Sequence, residues 1–267
     1  MKSSFDSRKS SPSGQPDLFP AKLSRFLAFD LEISKTLIDD FNQWKAHRPL
    51  GISCAATLLA GEQPRLWFSR EPDQSITTQM NRQDLGALVD YLEQAARQGC
   101  QIVTWNGLGF DFDILAEESE NWATCQELAL NHIDMMFHFF CLQGYPLGLD
   151  KAAKGMGLPG KMEGMSGELA PKLWQAGQYE QVLKYVAQDA TITLALASAV
   201  SSRKYLAWTS NAGKLQRVSL PQGWLAVQQA LQLPVPDTSW MRRPVKRSDY
   251  LAWTHPENKR PANSQGG

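Results

Sequence analysis

The stretch Phe26–Glu32, FLAFDLE, decides the architecture expected for this chain of 267 residues. It is apolar except for Asp30 and Glu32, whose side chains project from the same face of a strand because they lie two residues apart. Leu31, between them, points to the other face. Two carboxylates within an apolar strand are costly to bury unless a cation lies between them. The stretch therefore predicts a central strand with a metal site on one face.

The sequence that follows alternates between strand and helix patterns. We expect strands at 51–59, 65–68 and 101–105, and helices at 82–98, from about Asp111, at 120–130, around Asp150–Lys154 and, the longest, at 178–200. Residues 133–142 are apolar and fit either a strand or a helix. Residues 82–98 repeat apolar positions with a helical period, and Gly99 suits the end of that helix. This order predicts an α/β fold, a mixed sheet flanked by helices.

Composition divides the chain into three parts. Residues 1–23 are polar and rich in Ser and Pro, without the apolar core of a secretory signal, and we expect a disordered lead. Residues 24–206 carry the strands and helices. Prolines punctuate residues 207–267, which we expect to form an extension packed on the domain through Trp224, Trp240 and Trp253.

Charge is distributed unevenly along the chain, although the net charge is zero. Residues 201–267 hold 10 Lys or Arg against 3 Asp or Glu, a net charge of +7, so residues 1–200 are acidic. A basic segment beside an acidic body could guide a phosphate backbone toward the predicted metal site. A solvated surface, or docking of the segment on the acidic body, explains the same pattern.

Composition also excludes several classes of protein. The chain is 43% hydrophobic and 20% charged, as globular proteins are, and no apolar run approaches the ~18 residues that cross a membrane. The cysteines show neither a C-x-x-C pair nor the spacing of a zinc finger: Cys54, Cys100, Cys125 and Cys141. We expect buried, reduced thiols, a cytoplasmic location and no zinc site.

Two further segments supply acidic residues in suggestive positions. Asp111 follows a predicted strand at a predicted helix start, where the helix dipole tolerates an anion. A simple N-cap role is the alternative, and Asp113 competes for the same site. Tyr185 and Asp189 are one helical turn apart on the longest helix, whose apolar sequence gives no packing reason for a carboxylate. A structural Tyr with a surface Asp would be the alternative there.

Together these stretches resemble the motifs of the DEDD (DnaQ-like) 3′→5′ exonuclease superfamily. The matching segments are Phe29–Glu32 (FDLE), Asn106–Asp111 (NGLGFD), Ile133–Met135 (IDM) and Tyr185–Asp189 (YVAQD). Tyr185, with Lys at position 184, is typical of the tyrosine (DEDDy) branch, which resembles the proofreading domains of family-B DNA polymerases. Asp134 matches a recurrent Asp that either supports the metal ligands or caps a helix.

The resemblance implies a ribonuclease H-like domain and a specific chemistry. Asp30, Glu32, Asp111 and Asp189 would hold two Mg²⁺ or Mn²⁺ ions, and Tyr185 would orient the attacking water. Substrate would contact Leu31, Asn106, Phe110 and Lys161, although core packing also explains Leu31. The expected activity releases 5′-mononucleotides from the 3′ end of single-stranded DNA or RNA.

A glycine-rich loop offers a competing motif. Gly155–Lys161 matches G-x-G-x-x-G and the start of a phosphate-binding loop. No strand precedes it, Pro159 interrupts it, and Met162 replaces the Ser or Thr that would bind Mg²⁺. We therefore expect a loop that carries an exposed Lys161 near the substrate.

Two other functions remain open beside the exonuclease. The same fold could be an inactive module that binds nucleic-acid ends, although every predicted metal ligand is retained. The neutral charge would also suit a phosphodiesterase of very short oligonucleotides, because proteins that bind long duplexes usually present a basic face. DNA or RNA as the polymer, and the oligomeric state, are equally open.

Overall fold

A five-stranded mixed sheet lies at the centre of the protein. The computed structural model describes residues 25–37, 41–210 and 212–255, so the predicted disordered lead at 1–23 lies outside the described residues. The strands are β1 (Phe26–Ile33), β2 (Ile52–Leu59), β3 (Arg65–Trp67), β4 (Gln101–Thr104) and β5 (Ile133–Asp134). Their order across the sheet is β3-β2-β1-β4-β5. The predicted strands and the mixed sheet are confirmed.

Strand direction brings three polar chain segments to one edge of the sheet. β2 runs antiparallel to β1 and β3, whereas β4 is parallel to both β1 and β5. The carboxyl ends of β1, β4 and β5 therefore lie at the same edge. Glu32 near the end of β1, Asn106 just after β4 and Asp134 at the end of β5 meet there.

Helices cover both faces of the sheet. They are α1 (Arg82–Arg97), α2 (Asp111–Ser119), α3 (Trp122–Asn131), α4 (Met135–Gln143), α5 (Leu149–Gly155), α6 (Ala170–Gln175), α7 (Tyr179–Arg203), α8 (Val227–Ala230) and α9 (Arg247–Leu251), with short 3₁₀ helices at Phe41–His47 and Ala252–Thr254. One core joins α1, α2 and α3 to the face of β1 that carries Phe29, Leu31 and Ile33. The opposite core contains α5, α6 and α7. Asp30 and Glu32 therefore face the side of α7.

The strongest sequence signals correspond to well-defined elements. The side chain of Asn81 accepts a hydrogen bond from the Asp84 N–H at 2.9 Å and begins α1, and Gly99 follows it with a φ of 85°. α7 has 25 residues, which confirms the longest predicted helix. The ambiguous stretch 133–142 contains β5 and all of α4 except its last residue.

Sequence analysis missed α6 and a hairpin of β6 (Tyr205–Thr209) and β7 (Leu215–Ser219). α6 has only 6 residues, too few to show a helical period, although Pro171 in its first turn is a helix-start signal. β7 is largely exposed, and so it lacks the apolar alternation that marks a half-buried strand.

The C-terminal extension packs on the domain, with one exception to the expectation. Trp224 and Trp253 are buried, as predicted. Trp240 is 67% exposed, so the prediction that it packs on the core is wrong. The expected boundary between residues 206 and 207 falls inside β6, where Leu206 and Trp208 belong to the same core. The division into 24–206 and 207–267 stays a prediction.

Two further predictions from the sequence concern the cysteines and membrane-spanning segments. All four cysteines are buried, which confirms the expected burial of their thiols. Within the described ranges, none of the helices combines the length and the apolar character needed to span a bilayer.

Candidate active site

Three carboxylates converge where α7 crosses β1. Asp30 and Glu32 extend from the same face of β1, and Asp189 extends toward them from the middle of α7. One oxygen of each lies within 4.8 Å of the others, a grouping that could hold a metal ion. Apolar residues of α7 bury the helix against the sheet and so fix the position of Asp189.

A fourth carboxylate reaches the same cleft from the other face of the sheet. Asp111 is the first residue of α2, and its Oδ1 accepts a hydrogen bond from the Leu31 N–H at 3.1 Å. Asp113, its predicted competitor, points elsewhere and forms a buried ion pair with Arg48, which also lies 2.5 Å from Glu117. Asp111 is therefore the acid that faces the cleft.

The turn between β4 and α2 aims Asp111 at the site. Asn106 adopts a left-handed conformation with a φ of 76°. The Asp134 carboxylate accepts hydrogen bonds from the N–H groups of Asn106 at 3.0 Å and Leu108 at 2.9 Å. It also accepts one from the Phe137 N–H at 2.9 Å and so caps α4. Asp134 thus caps a helix, one of the two alternatives expected for it, and also holds the segment that leads to Asp111.

Lys161 is the one cation that enters the cleft within the described chain. Its Nζ lies 2.5 Å from Asp189 Oδ2 and 5.1 Å from the centre of the Tyr185 ring. The expectation of an exposed lysine is wrong, because only 32% of the side chain is exposed. The Lys161 N–H donates to Asp150 Oδ1 at 2.9 Å, and this bond holds the loop against α5. The loop follows a helix rather than a strand, as expected for a segment that is not a phosphate-binding loop.

These groups line a cleft of about 250 Å³. Every site residue predicted from the sequence contributes to its lining: Asp30, Leu31, Glu32, Asn106, Phe110, Asp111, Lys161, Tyr185 and Asp189. Leu31 is also buried in the core, the alternative expected for it. Sequence analysis missed Ile33, Trp105 and Gly167 in the lining. Trp105 could have been found, because it directly precedes the Asn106 motif.

Burial and mutual repulsion hold the carboxyls partly protonated. Burial and then the Asp189 charge, against the opposing effect of Lys161, raise the pKa of Glu32 to about 8. Burial also raises the pKa of Asp111 to about 7, although the Leu31 N–H bond lowers it. The pKa of Asp30 is well above its ordinary value, through burial and then the charges of Asp111 and Asp189. Such clustered carboxyls are stabilised in their charged form by added positive charge.

The same charges act on the two other polar side chains of the site. Burial raises the pKa of the Tyr185 hydroxyl far above its ordinary value, and the charges of Glu32, Asp189 and Asp30 raise it further. The phenol is therefore neutral at physiological pH. Burial would lower the pKa of Lys161, but the neighbouring carboxylates outweigh it and raise the pKa, so the lysine is charged.

The donor set fits divalent cations such as Mg²⁺ or Mn²⁺. The converging ligands are all carboxylate oxygens, which these hard cations prefer, and the three-residue cluster contains no His or Cys to favour zinc. Asp189 Oδ1 is buried without a hydrogen-bond partner. An unpaired buried oxygen of this kind is costly unless a cation or a ligand satisfies it. Four acids opposed by one lysine leave negative charge for such a cation to compensate.

Comparison with known proteins agrees with this architecture. A family model described as the RNase_H superfamily matches residues 66–200, half of the chain. The family B DNA polymerase from the hyperthermophilic archaeon Pyrobaculum calidifontis has a similar fold, with a TM-score of 0.50 and 17% sequence identity over 69% of this chain. The match spans only 25% of that polymerase chain. No curated protein matches the sequence.

Proposed function

Because the chain belongs to the RNase H superfamily, we propose that it is a two-metal 3′→5′ exonuclease of the DEDDy branch. Its substrate is single-stranded nucleic acid, and its products are 5′-mononucleotides. The observation that carries the proposal is the convergence of four acids and Tyr185 in one cleft. They come from β1, α2 and α7, elements that are far apart in the sequence and meet at one edge of the sheet.

A purely structural role for these acids disagrees with their environment. Asp113 shows what a structural buried acid looks like here, because it forms an ion pair with Arg48. Burial raises the pKa of all three acids, but Glu32 and Asp111 have no such partner among the ion pairs of the described residues to offset it. Groups with strongly shifted pKa values in a cleft are candidates for function.

The four carboxylates would hold the cations. When bound, two divalent ions activate water and stabilise both the attacking and the leaving oxygens of an in-line displacement at phosphorus. Asp30 and Glu32 offer oxygens from one face of β1, Asp189 from α7 and Asp111 from the opposite face of the sheet. Because these oxygens come from β1, α2 and α7, they approach the cleft from different sides.

The remaining polar side chains have roles that follow from their charge. The neutral Tyr185 hydroxyl can hydrogen-bond the attacking water and orient it toward phosphorus. Lys161 carries a positive charge on a loop at the cleft. Its ammonium group pairs with Asp189 and can instead bind a phosphate oxygen of the substrate.

The dimensions of the cleft favour an unpaired terminus. A cleft of about 250 Å³ that is lined by the acids can receive a single terminal nucleotide. Trp105 and Phe110 lie in its lining and offer aromatic surface to a base, a contact that tolerates any sequence. The Oδ1 of Asn106 is buried there without a hydrogen-bond partner and can accept from a sugar hydroxyl or a base.

The test is cleavage of 5′-labelled single-stranded DNA and RNA oligomers with Mn²⁺, Mg²⁺ or EDTA. We expect a metal-dependent ladder that shortens from the 3′ end, lost in Asp189→Ala and in Glu32→Ala. Asp90→Ala, which removes an exposed acid from α1, is the matched control and keeps activity. Activity near wild type in Asp189→Ala would refute the proposal.

The same gel distinguishes the other candidate functions. Tight binding of the oligomers without cleavage would indicate an inactive module that binds ends. Cleavage confined to dinucleotides and trinucleotides would indicate a phosphodiesterase of short substrates.

A further inference from the structure

A second groove adjoins the catalytic cleft. It has a volume of about 650 Å³, and we call it the aromatic groove; its lining includes Tyr145, Leu147, Gly148, Lys151, Trp208 and Trp240. Its size is within the range of roughly 300–1,000 Å³ that is typical of ligand sites. Trp208 and Trp240 belong to the C-terminal extension and the other four residues to the domain, so the groove forms where the two meet.

Trp240 is unusual among the tryptophans of this chain. All nine lie within the described residues, and Trp240 alone is exposed, with 67% of its surface accessible. Its ring stands edge-on to Tyr145, with the ring centres 6.2 Å apart and the planes at 75°. The contact leaves much of the indole open to a ligand. A planar, largely open indole in a groove is suited to stacking against another planar group.

The aromatic groove is joined to the catalytic cleft by direct contacts. Trp105 lines the cleft, and its indole N–H donates to the Leu147 carbonyl, which lines the groove, at 2.9 Å. On the other side, α5 contributes Lys151 to the groove, and Asp150 of the same helix holds the loop that carries Lys161 into the cleft. Trp105 of the cleft and Leu147 of the groove are therefore neighbours, and a strand that passes Trp105 can continue toward the groove.

Positive charge follows Trp240 closely in the chain and would suit a phosphate backbone. Arg242 and Arg243 follow Trp240 within three residues, and Lys246 lies shortly after; all three are exposed. Among the described residues none of these three forms an ion pair. Aromatic platforms beside unpaired cations are the features by which proteins bind single-stranded nucleic acid without sequence preference. A duplex would not fit this mode, because its bases are already stacked on one another.

We propose that the aromatic groove binds the single strand upstream of the 3′ terminus, with bases stacked on Trp240 and Tyr145 and phosphates near Arg242 and Arg243. This inference rests on the proposed exonuclease function for the polarity of the strand, but the binding itself does not require cleavage. The C-terminal extension thereby makes strands of several nucleotides better substrates than dinucleotides.

The test compares substrate lengths in Trp240→Ala, Trp240→Phe and the double variant Arg242→Ala/Arg243→Ala. The ratio of kcat/KM for a strand of about 12 nucleotides to that for a dinucleotide should fall about tenfold in Trp240→Ala, as loss of one stacked base predicts. Trp240→Phe should recover most of the ratio because it keeps an aromatic face. The arginine variant should weaken binding and flatten its dependence on salt. Arg97→Ala removes an exposed arginine of α1, which packs on the opposite core, and is the matched control.

A binding measurement separates this inference from the proposed function. Fluorescence anisotropy of a 5′-labelled strand in EDTA reports binding without hydrolysis, and Kd should rise about tenfold in Trp240→Ala. Binding that depends on Trp240 in a protein that cleaves nothing would support the groove and overturn the exonuclease. Cleavage with an unchanged length ratio and unchanged Kd in Trp240→Ala would overturn the groove and leave the exonuclease intact. Because Trp240 is exposed, the variants should keep the wild-type Tm, which a thermal melt verifies.

Discussion

Replacing Glu32 by Gln should make the metal-free protein more stable while abolishing the proposed nuclease activity. Glu32 is 6% exposed, and its pKa rises from 4.5 to about 8 in the fold, first through burial and then through the charge of Asp189. A carboxyl with a raised pKa in the fold binds its proton more tightly when folded than when unfolded. The contribution of Glu32 to stability is therefore fully present below pH 4.5 and is lost as pH rises toward 8.

The size of the effect follows from the pH interval. The 2.5 units between the unfolded pKa and pH 7, at about 1.4 kcal/mol per unit, limit the loss to about 3 kcal/mol at pH 7. Gln has nearly the shape of a protonated Glu and does not ionise in the unfolded chain, so Glu32→Gln avoids this loss. For a protein of this size the variant should melt up to roughly 6–12 °C higher than wild type in EDTA at pH 7. At pH 4.5 the two proteins should melt together.

The assay is a series of thermal melts in EDTA between pH 4.5 and 8, repeated with excess Mn²⁺. Wild type should gain about 3 kcal/mol at a Mn²⁺ concentration near 100 times Kd, and Glu32→Gln should gain clearly less because it lacks one ligand. Glu93→Gln is the control, since Glu93 pairs with Arg97 on the surface of α1 and its loss should change stability by under about 0.5 kcal/mol.

Two results of these thermal melts would contradict the prediction for Glu32→Gln. If Glu32→Gln is less stable than wild type by the same amount at every pH, the carboxylate serves the fold and not a cation. An equal gain from Mn²⁺ in wild type and variant would exclude Glu32 from the ligand set.

Three further substitutions test separate parts of the structure. Asp113→Asn should lower stability by about 3–5 kcal/mol, because it leaves Arg48 buried with less compensation, yet thermal melts should still show stabilisation by Mn²⁺. Tyr185→Phe should keep Mn²⁺ affinity in calorimetry while kcat falls roughly 10- to 100-fold, as expected for the loss of a hydrogen bond that orients water. Gly155→Ala should lower Tm through a loss of about 2–3 kcal/mol, because a Cβ there would lie 2.2 Å from the Ala207 carbonyl oxygen. An Asp113→Asn protein that no longer responds to Mn²⁺, a Tyr185→Phe protein with wild-type kcat, or an unchanged Tm in Gly155→Ala would each contradict its prediction.

The sequence predicted those parts of the site that depend on local pattern. Asp30 and Glu32 could be assigned to one face of the sheet because β1 is a regular strand. Asp189 could be assigned to the same helix face as Tyr185 because α7 is a long helix. Both assignments need only the period of the element and its apolar neighbours. The convergence of the two elements then follows from the packing of α7 on β1.

Features set by contacts between distant residues could not be predicted in the same way. Asp111 and Asp113 both lie in the first turn of α2, and the choice between them is fixed by Arg48, which lies 65 positions before Asp113 in the chain. Lys161 was expected to be exposed because its loop is rich in glycine and proline. It turns inward because Asp189 attracts it and Asp150 holds its backbone. Long-range charge pairs of this kind leave no periodic signal in the sequence.

The extension is structurally part of the site rather than an addition to it. The Trp253 indole N–H donates to the Leu108 carbonyl at 2.7 Å, directly on the turn that aims Asp111. Tyr250 packs so closely on that turn that a Cβ on Gly109 would lie 2.8 Å from its ring. The extension thus contacts the site at two places, beneath the turn and beside the aromatic groove. Since an acid must be held within a fraction of an ångström to bind a cation well, removal of the extension should loosen Asp111 as well as shorten the groove.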